Sequence, residues 1–272
     1  MLKIRILTAL IIFPVTVAAV FLAPPWLFRL VIAVVLLMGC WEYRRLADLS
    51  PTAGLALVSA QFLVFALLSW FWPQAGGYAL PALGAGCLTW LLMFSRLAFY
   101  QEGKKPDAAF RRLGFLCGLS ALSFCFFSLA WLQEQANGPF VVFLLLLIIW
   151  ASDVGAYFSG KRFGHRKLAP MISPKKTWEG VAGGVVLAGL AAYLWSYTIA
   201  GLEITPVQLA GLSVLTSLTS VCGDLFISLQ KRTMGMKDTG TLFPGHGGVL
   251  DRYDSLVSGA PFFALAWLVF VT

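Results

Sequence analysis

The chain has 272 residues, 59% of them hydrophobic and 12% charged, with 20 basic against 12 acidic residues and a net charge of +8. Soluble domains carry about 25% charged residues, so this chain has too few charges to cover a water-facing surface, and a soluble globular fold is excluded. The relevant count is of membrane spans of about 20 apolar residues each, and the basic excess points to topology and to anionic lipid or substrate.

Apolar runs predict nine helices, near 6–23, 26–41, 53–72, 78–99, 113–132, 139–159, 178–200, 206–229 and 254–271. The fold class is therefore an all-α polytopic membrane protein. Lys3 and Arg5 before the first run resemble the start of a signal peptide, but eight further runs follow, so the first is read as a retained span. Pro24-Pro25, Trp72-Pro73, Asn137-Gly138-Pro139 and Pro206 mark turns and helix starts. About five spans form an N-terminal region, 1–137; region 138–272 carries two long polar connections, 160–177 and 230–253. Cys40, Cys87, Cys117, Cys125 and Cys222 lie in apolar runs with no CxxC pair, as reduced packing residues do.

Charge sets the threading. The N-terminus and the connections after the second, fourth, sixth and eighth helices hold 19 of the 20 basic residues. The opposite connections hold Arg29, Glu134 and Glu203. By the positive-inside rule the basic side is cytoplasmic, which puts the N-terminus inside and the C-terminus outside. Arg44-Arg45 and the basic residues of 96–112 read as orientation signals and headgroup contacts.

The last cytoplasmic connection holds Asp224, Asp238, Asp251 and Asp254 with Lys231, Arg232, Lys237, Arg252 and His246, interrupted by Gly235, Gly240, Gly245, Gly247 and Gly248. Glycines permit close backbone approach, so successive N–H groups can form an anion-binding concavity. Asp224, Ser228 and Lys231 fall at i, i+4 and i+7 and share a helix face. An acid in an apolar helix end marks an ion or substrate path; the alternative for Asp224 is a buried salt bridge to a loop cation. Asp251 and Asp254, at i and i+3, can face the same site. Acids beside cations suit a Mg²⁺-bound polyphosphate, with Asp224 and Asp251 as the expected metal ligands. His246 can bond phosphate, donate a proton or shape the turn, and the sequence does not rank these.

The second cluster spans Ser152–Gly180. Asp153, Tyr157 and Lys161 recur at i, i+4 and i+8. Ser173, Lys175, Lys176 and Thr177 form a predicted turn opening the seventh helix, with Glu179 just inside it, and a helix N-terminus favours phosphate. The alternative is a lysine pair touching anionic headgroups. His165 reads as a surface residue, and Gly180, Gly183 and Gly184 as close helix packing. No GxxxxGK[ST], HExxH or GxSxG motif is present.

Ser228 to Asp254 closely resembles the signature S-x-x-K-R-x4-K-D-x-G-x3-P-G-H-G-G-x-x-D-R-x-D of the phosphatidate cytidylyltransferase (CDP-diacylglycerol synthase) family, with every fixed position matched. Asp153…Tyr157…Gly160 and Ser173-Pro174-Lys175-Lys176-Thr177…Glu179-Gly180 resemble it too; the likeness is strong over 152–254 and general over 1–150. The resemblance implies that CTP and phosphatidate react to give CDP-diacylglycerol and pyrophosphate with Mg²⁺, in a bacterial inner membrane. It further implies a homodimer and a K⁺ ion, and no nucleic-acid partner. Asp224, Ser228, Lys231, Arg232, Lys237, Asp238, His246, Asp251, Arg252 and Asp254 are expected in catalysis. Asp153, Tyr157, Lys161, Ser173, Lys175, Lys176, Thr177, Glu179, Gly247 and Gly248 are expected to bind substrate. A transporter of phosphorylated anions would instead line a path to both sides with charge. A transferase for another phosphorylated lipid would share every motif.

Overall fold

The computed structural model describes residues 2–72, 77–98, 107–198, 204–242 and 247–271, with side chains from residue 10 onward. Lys104, Lys105, Glu203, Pro244, Gly245 and His246 fall outside the described residues. The described elements run α1 (Leu2–Leu22), α2 (Pro25–Leu46), α3 (Pro51–Trp70), α4 (Ala79–Ala98), α5 (Ala108–Gln133), α6 (Gly138–Phe163), β1 (Lys167–Ala169), β2 (Ser173–Thr177), α7 (Trp178–Ser196), α8 (Pro206–Thr233) and α9 (Leu250–Val271). The helices α2 to α9 are long and apolar enough to cross a membrane. α1 has 21 residues and a single internal proline, Pro14. This is the polytopic helical fold that the apolar runs predict.

Two corrections concern the basic side. The helices α2, α6 and α8 end four or five residues later than their apolar runs, and α5 and α9 begin four or five residues earlier. Hydropathy marks where a helix meets lipid, whereas the backbone stays helical for one more turn while Lys and Arg reach water. Arg44, Arg45, Lys161, Lys231, Arg232 and Asp251, outside the apolar runs, are therefore helical residues. The second correction is the expected turn at Ser173–Thr177, which is a strand. β2 pairs antiparallel with β1, Lys167 opposite Thr177 and Ala169 opposite Ser173. A two-stranded ribbon has only edges, so Pro174 disturbs no inner ladder.

Local sequence fixes the helix starts. Ser50, Asp107, Thr177 and Thr205 cap their helices by accepting a backbone N–H, and Pro25, Pro51 and Pro206 occupy first turns, where a missing N–H costs nothing. Glycines set the tightest packing, between α6 and α7. A Cβ on Gly155 would lie 2.6 Å from the Gly183 carbonyl, and one on Gly184 would lie 2.7 Å from the Ser152 carbonyl. Small residues of this kind let helix backbones approach in lipid.

α9 is the central helix, packed against α8, α5, α4, α6 and α2. At one end of the bundle, Glu134 after α5 pairs with Arg29 of α2 and accepts from the Trp72 indole after α3. At the other end lie the C-termini of α2, α6 and α8 and the N-termini of α7 and α9, together with the ribbon. The antiparallel threading thus gathers every described motif residue at one end.

Candidate active site

The site grows from the last two turns of α8. Asp224 and Ser228 share a face as their spacing predicts, and the Ser228 hydroxyl donates to Asp224 Oδ1 at 3.2 Å. The ribbon brings the second cluster to the same acid. Ile172 is buried against Leu225 and Leu229 of α8, and Arg232 Nε donates to the Ile172 carbonyl at 3.3 Å. Seated there, the ribbon delivers Lys176 Nζ to Asp224 Oδ2 at 2.5 Å. Alternation along a strand sends neighbouring side chains to opposite faces, so Lys175 is left exposed.

One turn beyond Ser228, Lys231 Nζ donates to Asp251 Oδ1 at 2.9 Å, in a pair whose side chains are only 11% and 4% exposed. Asp251 Oδ2 accepts from Thr239 N at 2.8 Å, Thr239 Oγ1 at 3.0 Å and Gly248 N at 2.9 Å. Gly247 has φ +84°, which carries the chain past this carboxylate; a side chain there would meet Asp251. Asp254, one turn along α9, is buried, accepts from Ser255 N at 2.8 Å, and feels the charges of Asp224, Lys231 and Lys176. Among the described residues Asp254 forms no ion pair. Asp153 of α6 feels Asp224, Lys176 and Arg252. Four acids and the cations Lys176, Lys231 and Arg252 thus form one electrostatic unit.

A cavity of about 240 Å³ opens beside it. Its lining combines the charged Asp153, Asp251, Arg252 and Asp254 with the apolar Ile12, Ile149 and Trp150.

Several predicted residues are exposed or engaged with other partners. Thr177 Oγ1 is engaged as the α7 cap, accepting from Gly180 N at 3.1 Å. Glu179 accepts from the backbone N–H of His165 and Arg166 at 3.2 Å, which ties the start of α7 to the ribbon. Tyr157 is exposed, and Lys161 lies 5.9 Å over its ring. Lys237, Asp238 and Arg232 are exposed, and Ser173 is half-buried. Gly248 belongs to the site through its N–H.

Sequence reasoning missed Glu42. This acid of α2 is buried and accepts from Thr239 Oγ1 at 2.9 Å, Val249 N at 3.0 Å and Leu250 N at 2.9 Å. The rule that flags Asp224, an acid inside an apolar helix end, flags Glu42 as well. Arg45, read as an orientation signal, donates through Nη1 to the Thr239 carbonyl at 3.2 Å.

The donor set suits a hard divalent cation carried in by a polyphosphate. No three His, Cys, Asp or Glu side chains among the described residues converge as a cage. Mg²⁺ characteristically binds one or two carboxylates plus substrate phosphates, and Asp224 and Asp251, each here facing an ammonium, are the carboxylates that could hold one.

Among the described residues, nine helices with a charged cluster gathered at one end define a polytopic membrane protein. The chain belongs to the cytidylyltransferase family, whose sequence model matches residues 3–270. It is similar to the phosphatidate cytidylyltransferase of Pseudomonas aeruginosa, 39% identical over 272 residues that cover 98% of this chain and 97% of that one. The Haemophilus influenzae phosphatidate cytidylyltransferase is 34% identical over 97% of this chain and 98% of its own length. That of Bacillus subtilis is 35% identical over 80% and 82%.

Proposed function

We propose that this protein transfers the cytidylyl group of CTP to phosphatidate, forming CDP-diacylglycerol and pyrophosphate. The observation that carries the reading is the Lys176–Asp224 contact, which joins two motif segments far apart in the chain into one acid–lysine site at one end of the bundle. A transporter would need charge along a path to both faces; the opposite end instead holds the Arg29–Glu134 pair.

In the reaction a phosphatidate phosphate oxygen bonds to the α-phosphorus of CTP as the bond from that phosphorus to the β-phosphate bridging oxygen breaks. A phosphate monoester is already nucleophilic at neutral pH, so the chain's work is alignment and charge neutralisation. Asp224 and Asp251 hold Mg²⁺, which when bound neutralises the triphosphate. Lys231, Arg232, Lys237 and Arg252 serve the triphosphate and the departing pyrophosphate. Lys176 faces the lipid phosphate. The cavity beside Asp153 and Arg252 is lined by both charged and apolar side chains, a mixture that suits a phosphorylated lipid. The resemblance adds a K⁺ ion beside Mg²⁺ and a homodimer. The positive-inside rule assigns the basic end to the cytoplasm, and the similarity to bacterial proteins supports an inner-membrane location.

Purified protein given Mg²⁺, labelled CTP and phosphatidate is expected to release pyrophosphate and form CDP-lipid in equal amounts. No product dependent on both substrates would overturn the reading.

A further inference from the structure

Glu42 stands one turn before the end of α2, far from the signature segment in sequence. Its carboxylate nevertheless receives Thr239 and the amides of Val249, just before α9, and Leu250, its first residue. The opening amides of a helix have no partner within it, and an anion there also meets the positive end of the helix dipole. Gly240 and Gly248 complete the cradle, since a side chain on either would strike this carboxylate. Two more contacts fasten the same stretch of α2: Arg45 to the Thr239 carbonyl, and Gln230 Nε2 to the Tyr43 hydroxyl at 2.9 Å.

The Thr239 hydroxyl lies 2.9 Å from Glu42 Oε2 and 3.0 Å from Asp251 Oδ2. A hydroxyl has one proton, so two carboxylates share a single donor.

We infer that Glu42 is a positioning residue for the reaction, acting through Thr239 and the first turn of α9 to hold Asp251 at the nucleotide site. When a cation claims lone pairs of Asp251, the Thr239 proton has Glu42 as its other acceptor, so recruiting Asp251 leaves no buried hydroxyl unpaired. The inference rests on the placement of Asp251 at the nucleotide site.

The test uses the full-length protein in detergent with CTP, phosphatidate and Mg²⁺. Glu42→Gln has one acceptor oxygen where three donors converge, and its amide N–H₂ faces a donor. Groups that support metal ligands typically cost 10–100-fold when removed. Glu42→Gln and Thr239→Val are each expected to lower kcat at least about tenfold and to raise the Mg²⁺ concentration for half-maximal rate, with the KM for phosphatidate little changed. Thr239→Ser, which keeps the hydroxyl, should stay within about twofold of wild type, as conservative rescue requires. The double variant should be no worse than the poorer single one, because both remove the same link. Thermal unfolding with and without Mg²⁺ and CTP supplies a readout apart from turnover: stabilisation by the pair should shrink in both single variants.

Wild-type kinetic constants in Thr239→Val, equal losses in Thr239→Ser and Thr239→Val, or a rise confined to the phosphatidate KM would each overturn the inference. Loss of CDP-lipid formation by the wild-type chain would instead strike the proposed function. If Glu42→Gln does not fold, the Thr239 pair decides alone.

Discussion

Replacing Lys231 by Met tests whether the buried Lys231–Asp251 pair holds the site together. Methionine keeps the length and much of the volume of the side chain but removes the charge. Deleting one partner of a buried pair costs about 3–5 kcal/mol, because the other charge is left uncompensated. The lower end applies here, since Asp251 keeps Thr239 N, Thr239 Oγ1 and Gly248 N as donors. For a chain of this size about 3 kcal/mol corresponds to a fall of roughly 6–12 °C in Tm. The double variant Lys231→Met with Asp251→Asn removes both charges and should recover more than half of that fall while remaining inactive. Thermal unfolding in detergent reads the first quantity and CDP-lipid formation the second. A single variant within about 1 °C of wild type, or a double variant as unstable as the two singles summed, would refute the argument.

Three other expectations follow from the same geometry. Asp224→Asn should abolish turnover while the protein stays folded, checked by activity at limiting Mg²⁺ beside the unfolding curve. Lys176→Ala should impair the dependence on phosphatidate more than that on CTP, whereas Lys175→Ala on the opposite strand face should change either KM by less than about twofold, in kinetics with each substrate varied separately. Gly184→Val should separate α6 from α7 and cost about 2 kcal/mol or more through overpacking against the Ser152 backbone, read as a drop in Tm.

Sequence alone settled what depends on chemistry local to the chain. Lipid demands long runs whose backbone polar groups are satisfied internally, so the nine helices of the described residues could be counted from apolar length. The i, i+4 and i+7 spacing of Asp224, Ser228 and Lys231 fixed a shared face, because helix geometry does. Glycines at 180, 183 and 184 announced close packing. Tertiary structure decided the rest. Lys175 and Lys176 are equivalent as neighbours in a list of residues, but the ribbon, held by Ile172 against Leu225 and Leu229, turns only Lys176 to Asp224. Thr177 and Glu179 carry the composition of a phosphate site and are engaged by backbone amides instead. Glu42 meets Leu250 across 208 positions, a distance over which no periodicity reports contact. Which acids share a proton donor depends on how helices far apart in the chain converge at one end of the bundle, and packing alone sets that convergence.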